Sequence, residues 1–161
     1  MGKVLSQDAL KEVRFQLKKA GKKVVFTNGC FDIIHRGHIE YLETARSLGD
    51  VLVVAINSDA SVRRIKGPTR PIVNEDDRAF VMAALLPVDY VTIFDEDTPY
   101  NVIKALVPDV LVKGGDWGTE SIVGKDVVEA SGGIVRSIQF LSGSSTTAII
   151  NKIKETEKNN Q

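Results

Sequence analysis

A doubly wound α/β fold on a parallel five-stranded sheet is the architecture this sequence predicts, and three observations lead there. Five short apolar runs alternate with segments of helical periodicity. The runs are nearly continuous rather than alternating, the pattern of strands covered on both faces. Four of them end in polar, turn-forming clusters: Thr27-Asn28-Gly29, Asn57-Ser58-Asp59, Phe94-Asp95-Glu96 and Lys113-Gly114-Gly115-Asp116. Ligands of open parallel sheets gather at such carboxyl ends of strands, so chemistry is expected there.

The elements follow in order. Leu10, Val13, Leu17 and Ala20 recur at helical spacing behind Ser6, a good N-cap, and Gly21 stops that first helix. Residues 23–28 form the first strand around Val24-Val25-Phe26 and run into a tight turn. The remaining strands are expected at 51–56, 90–94, 110–112 and 134–138. Helices separate them at 39–48, at 75–86 behind the cap residue Asn74, and after Thr98 with Pro99 at its first position, where a missing N–H costs nothing. Helices at 127–130 and 146–158 complete the set. One domain over 1–161 is expected, with its N-terminal helix within 1–20 and a polar tail at 152–161.

Composition excludes several classes. Twenty-one Lys and Arg balance twenty-one Asp and Glu, so no net field draws nucleic acid or an anionic membrane. Only ten aromatic residues are present, without basic interleaving, which also disfavours a nucleic-acid binder. The longest apolar run, residues 51–56, is far short of the roughly 20 residues of a membrane span. A lone cysteine, Cys30, excludes an intrachain disulfide and fits a reducing compartment. Lys3, Lys11, Glu12, Arg14, Lys18 and Lys19 leave no apolar signal-peptide core. Met1-Gly2 with Ser6 matches the short N-myristoylation pattern, which a charged surface helix also matches by chance. A cytoplasmic protein is expected.

The densest chemical signal runs from Thr27 to His38. A strand ends, glycine permits a close turn, and His35 and His38 follow as a helix begins. Helix starts carry unpaired N–H groups and a positive dipole end, which suits phosphate. Ring N–H groups of the histidines add donors, and Gly37 clears space for a nucleotide. A zinc site would need Cys30 and Asp32, which are poorly placed to complete it. A histidine capping the helix and a histidine acting as general base are the remaining readings of the pair. No GxGxxG occupies this turn, which argues against a NAD dehydrogenase.

Three further segments carry polar chemistry. Ser142-Gly143-Ser144-Ser145-Thr146-Thr147 holds more hydroxyls than a helix cap requires, and the surplus suits the outer phosphates of a triphosphate. Arg63, Arg64, Lys66 and Arg70 surround Gly67-Pro68, a stretch that reads as too broken for a helix. It is either a solvated basic loop or a mobile lid reaching a polyphosphate. At the fourth strand end, Lys113 suits phosphate and Asp116 a ribose or sugar hydroxyl, while Trp117 either stacks on a ring or covers the core.

Residues 27–42 resemble the signature of the HxGH nucleotidyltransferases, the cytidylyltransferase-like superfamily with a Rossmann-like sheet. Ser145-Thr146-Thr147 resembles its second signature, about 110 residues further on. Within that superfamily, Lys66-Gly67, Arg70-Pro71, Asp97-Thr98-Pro99, the run 108–117 and the run 145–150 resemble the heptose 1-phosphate adenylyltransferases. The likeness covers roughly residues 20–153, and with no sugar-kinase segment ahead of it the stand-alone form is expected.

The resemblance implies transfer of an adenylyl group from ATP, with Mg²⁺, to D-glycero-β-D-manno-heptose 1-phosphate, giving ADP-heptose for lipopolysaccharide core precursors. It implies His35, His38, Lys66 and Lys113 as catalytic residues. Nucleotide binding would fall to Thr27, Asn28, Gly29, Cys30, Phe31, Gly37, His38, Lys113, Gly115, Asp116, Ser145, Thr146 and Thr147. The sugar phosphate would meet Asp32, Lys66, Arg70, Lys113 and Trp117. No protein-held metal, no nucleic acid and no membrane are implied; a homodimer is. Lys152 departs from the arginine common in the last helix of relatives, keeping the charge without the bidentate fork. The rival enzyme is a cytidylyltransferase for glycerol 3-phosphate or phosphoethanolamine. The rival from another class is a nucleotide-sensing module, which would need neither histidine.

Overall fold

The computed structural model describes residues 1–115, 121–139 and 145–159. Six parallel strands lie in the order β1-β4-β3-β2-β5-β6: β1 (Lys3–Val4), β2 (Val24–Gly29), β3 (Val51–Asn57), β4 (Tyr90–Phe94), β5 (Val110–Gly114) and β6 (Ile134–Ile138). The helices are α1 (Gln7–Lys19), α2 (Arg36–Arg46), α3 (Asp59–Lys66), α4 (Glu75–Ala84), α5 (Tyr100–Leu106), α6 (Lys125–Ala130) and α7 (Thr146–Asn159).

Strand side chains alternate between two cores. Val25, Leu52, Val54, Ile56, Val110 and Val112 pack with Tyr41, Leu42 and Ala45 of α2 and with Ala79, Met82 and Ala83 of α4. Val24, Phe26, Val53, Ala55, Leu111 and Val135 pack on the other face with Leu10 of α1, Val102, Ile103 and Leu106 of α5, and Val128 of α6. Because both faces are covered, polar residues are excluded from both phases of each strand, which is why the runs read as continuous.

Aspartates close the amino ends of the strands. An Asp109 oxygen accepts from the Val24 amide at 2.7 Å, and Asp89 accepts from Leu52 at 2.8 Å. Asp50 accepts from Lys23 at 2.8 Å. The second Asp109 oxygen meets the buried Arg14 guanidinium at 3.0 Å, tying α1 to the start of β5. These bonds satisfy amides that the sheet ladder leaves unpaired.

Several elements differ from expectation. A sixth strand, β1, joins the sheet edge beside β4; it has only two exposed residues and no apolar run to announce it. Arg63, Arg64 and Lys66 lie on a helix, not a loop. Ser58 caps α3 by accepting from the Ser61 amide, the basic residues fall in its last turn, and Gly67 ends it at φ +96°. The Gly-Pro break therefore follows the helix rather than disrupting it. Pro99 is the N-cap of α5, so the helix starts one position later than expected. The helix expected at 146–158 is present as α7, which runs through the polar segment to Asn159. Ser6 and Asn74 cap α1 and α4 as their sequence context predicts.

Asp109→Ala leaves the Val24 amide without its partner and takes the carboxylate from the Arg14 guanidinium, which keeps its bonds to the Leu106 and Val107 carbonyls. It is expected to lower the unfolding free energy by about 2–3 kcal/mol in urea denaturation. Asp8→Ala, which removes only the exposed pair with Lys11, should stay within about 0.5 kcal/mol of the parent. Equal effects would show that strand-end capping is not special.

Candidate active site

The chain runs from β2 to β3 and β4 on one side, then crosses back to place β5 and β6 on the other. At the carboxyl ends of β2 and β5, where the order reverses, a cleft of about 580 Å³ opens. The turn after β2 forms its floor. Phe31 there adopts φ +46°, a left-handed conformation that is strained for an aromatic residue. A Cβ on Gly29 would lie 2.9 Å from the Phe31 ring, so glycine is what lets the ring fold back over the turn. The ring then packs against His38, with centroids 5.2 Å apart.

His35 occupies the N-cap of α2 in extended geometry, and its side chain makes no capping bond, which sets aside the capping reading. The His35 and His38 rings stack with centroids 3.9 Å apart. Each Nδ1 is buried without a partner among the described residues. Burial lowers the His35 pKa; burial and the neighbouring His35 push that of His38 down to about 4. Both rings are therefore neutral near pH 7. His38 lines the cleft; His35 is not among the lining residues and stacks on His38. The first turn of α2 contains no acidic side chain, so the positive end of the helix is left for an incoming anion.

Cations face this helix start. Lys66 from the end of α3, Arg70 from the following segment and Lys113 from the end of β5 line the cleft. Burial lowers the Lys113 pKa, and nearby Lys66 adds to the effect against the opposing influence of Cys30. Burial also pushes the Cys30 thiol up, outweighing Lys66, Arg78 and Arg70. Asn28, Gly29, Cys30, Phe31 and Asp32 from the turn, with Thr146 and Thr147 from the start of α7, complete the predicted residues at the wall. Thr146 Oγ1 donates to the Ile33 carbonyl at 3.3 Å, anchoring α7 beside the histidine segment.

Other predicted residues stand elsewhere or are already engaged by protein donors. Thr27 is fully buried, and its hydroxyl pairs with Tyr41 Oη at 2.5 Å, so it braces α2 against β2 and does not reach the cleft. Asp32 is not free for a sugar hydroxyl. At 3% exposure, its carboxylate accepts from Arg70 Nε at 2.6 Å and from the Ile72 and Val73 amides at 2.8 and 2.9 Å. Burial raises its pKa, but those three donors outweigh burial and hold it below the ordinary carboxylate value. Gly37 is buried within α2, and Gly115, at φ +111°, donates its amide to Ile138. Ser145 caps α7 by accepting from the Ala148 amide at 3.1 Å. Lys152 is exposed and is not among the cleft residues. Asp116 and Trp117 lie outside the described residues.

The cleft also takes in Tyr41, Asn57, Asp97, Thr98, Pro99 and residues 121–123. Asn57 sits at one of the strand ends singled out in sequence and bonds Ser61 Oγ at 3.0 Å. Tyr41 and residues 121–123 carry no such signal, since apolar or mixed residues on a helix or turn look alike in sequence whichever way they face.

His35 and His38 are the only histidines, so NMR titration of the two imidazoles should show both below the ordinary 6.5, His38 near 4. Unfolding releases His38 to its ordinary value, so between pH 4 and 6.5 the unfolded chain binds the proton and the folded one does not. Stability should therefore rise with pH across that window, and His38→Phe should flatten the slope. A His38 titration near 6.5 would contradict the buried, stacked geometry.

Comparison with known proteins agrees with this geometry. The sequence model of the cytidylyltransferase-like family matches residues 26–152. The protein named "Bifunctional protein HldE" from Citrifermentans bemidjiense is 56% identical over 151 residues, covering 94% of this chain and 31% of the relative. That of Wolinella succinogenes is 51% identical over 152 residues, with the same coverage of both chains. The chain thus spans about a third of the length of these relatives. A crystal structure of the lipopolysaccharide core biosynthesis protein from Thermoplasma volcanium superposes with a TM-score of 0.62 at 29% identity, covering 77% of this chain and all of that one. The pantoate-beta-alanine ligase of Francisella tularensis, at 17% identity and a TM-score of 0.62 over 96% of this chain and 78% of its own, shares the fold. With its strand-end cleft, its paired histidines and a family match over most of its length, the chain belongs to the cytidylyltransferase-like family.

Proposed function

We propose that this chain is an adenylyltransferase that joins ATP to D-glycero-β-D-manno-heptose 1-phosphate, forming ADP-heptose and releasing pyrophosphate. The observation that carries the reading is a neutral, stacked histidine pair at an open helix start, opposite three cations. The choice of sugar rests on the resemblance through 108–117 and 145–150. The HldE proteins and the lipopolysaccharide core biosynthesis protein support it through their sequence likeness.

In this reaction an oxygen of the sugar phosphate attacks the α-phosphorus of ATP in line, and the bond to pyrophosphate breaks. The nucleophile is already an anion, so no strong base is needed; alignment and donors aimed at developing charge supply the catalysis. Neutral imidazoles can serve that task, because each keeps one ring N–H to donate. In our reading, His38 and His35 stabilise charge on the transferring and leaving phosphates. The 29–31 turn holds the α-phosphate, and Thr146 and Thr147 bind the outer phosphates. Lys66, Arg70 and Lys113 draw the two anions together against their mutual repulsion. In this reading Mg²⁺ enters with the nucleotide substrate. No described helix is long and apolar enough to cross a membrane. A cytoplasmic location and a homodimer complete the proposal.

His35→Ala and His38→Ala should each lower kcat by about 10²-fold or more with the fold intact by circular dichroism. Pyrophosphate release should be fastest with ATP, Mg²⁺ and the heptose phosphate, and should vanish with EDTA. A higher kcat/KM for CTP with glycerol 3-phosphate would transfer the chain to the cytidylyltransferases, and no release from any pair would favour a sensing module.

A further inference from the structure

Arg78 is the bulkiest fully buried side chain among the described residues, at 1% exposure, and it does not line the cleft. Its guanidinium commits three nitrogens to three separate segments. Nη1 donates to the Cys30 carbonyl at 2.6 Å, Nη2 to the Asp59 carboxylate at 2.7 Å, and Nε to the Val73 carbonyl at 2.9 Å.

Each segment carries part of the site. Cys30 belongs to the turn that holds Phe31 against His38. Asp59 begins α3, and its amide is also held by the Glu75 carboxylate, so α4 grips that helix start twice. Two turns on, the same short helix ends in Lys66. Val73 is gripped through both backbone groups, its carbonyl by Arg78 and its amide by Asp32, and Asp32 in turn fixes Arg70. Only residues 67–69 separate Lys66 from Arg70.

We propose that Arg78 is a positioning residue that sets Lys66 and Arg70 as one unit against the 29–32 turn. This rests on the adenylyl-transfer reading, in which both cations meet phosphate. A planar fork with donors in fixed directions can hold three segments in one geometry; a lysine ammonium in the same space keeps the charge beside Asp59 but not the three directions. Partners behind a site that orient the groups touching substrate typically change activity by about 10–100-fold when removed.

The test uses the full chain, with inorganic tripolyphosphate binding by calorimetry and kcat/KM from pyrophosphate release. Arg78→Lys, folded by circular dichroism, should lose about 30-fold in kcat/KM and about 10-fold in tripolyphosphate affinity. In a Lys66→Ala/Arg70→Ala background the same change should matter less than about 3-fold, because the groups through which Arg78 acts are gone. Wild-type values in folded Arg78→Lys, or the full loss repeated in the double-variant background, would overturn the proposal. Should Arg78→Lys fail to fold, Asp59→Ala removes the Arg78 grip on α3 while the Glu75 bond to its backbone remains, and its effect should disappear in Lys66→Ala; an unchanged effect there refutes the proposal. If the wild type releases no pyrophosphate, the adenylyl-transfer reading fails, while the tripolyphosphate series still decides the role of Arg78.

Discussion

A carboxylate buried at the end of the β2 turn sets the terms for everything around the cleft. A charge taken out of water must be paired and hydrogen-bonded, or it loses its charge. Asp32 meets that demand by drawing the Arg70 guanidinium and the Ile72 and Val73 amides onto itself. A segment that would otherwise cross the mouth of the cleft as free loop is thereby fastened to its floor, with a cation on board. Arg78 answers the same demand with opposite sign, and the two share Val73.

The electrostatic design that results is asymmetric. Lys66, Arg70 and Lys113 bring basic side chains to the cleft, while burial lowers the pKa of both histidines, and His35 adds to the effect on His38. Were His35 and His38 charged as well, five positive groups would crowd one helix start before any phosphate arrived. Neutral rings lower that repulsion and still offer N–H donors. The strained Phe31 and the side-chain-free Gly29 belong to the same arrangement, since the aromatic edge they place beside His38 helps exclude water from it. Local backbone strain is tolerable here because Arg78 on the Cys30 carbonyl and Asp32 on the next segment over-determine the turn.

The two ends of the sheet divide the work. Aspartates 50, 89 and 109 close the amino ends, where they satisfy strand amides and fix register. The carboxyl ends carry Asn28, Asn57 and Lys113 toward the cleft. The aspartate caps on strand amides thus lie away from the polar surface that a substrate needs.

The alternation of strand and helix was legible in the residues themselves, because burial on both faces forces near-continuous apolar runs and caps such as Ser6 and Asn74 act within a few residues. The placement of His38 and Lys113 at one cleft was legible for a related reason: polar residues beside strand ends are local in sequence. Tertiary structure alone decided what each polar side chain faces. Thr27 reads like its neighbour Asn28 but points inward to Tyr41, and Asp32 reads as a ligand-binding carboxylate but serves Arg70, 38 residues away. Arg63, Arg64 and Lys66 read as loop because Gly67-Pro68 follows them, whereas the cap at Ser58 and packing on β3 make a helix. Arg78 was invisible, since an arginine on an amphipathic helix looks solvent-facing until the carbonyls of Cys30 and Val73 and the Asp59 carboxylate converge on it. Periodicity and capping are short-range and survive in the order of residues; the pairing of buried charge is long-range and exists only once the chain has closed on itself.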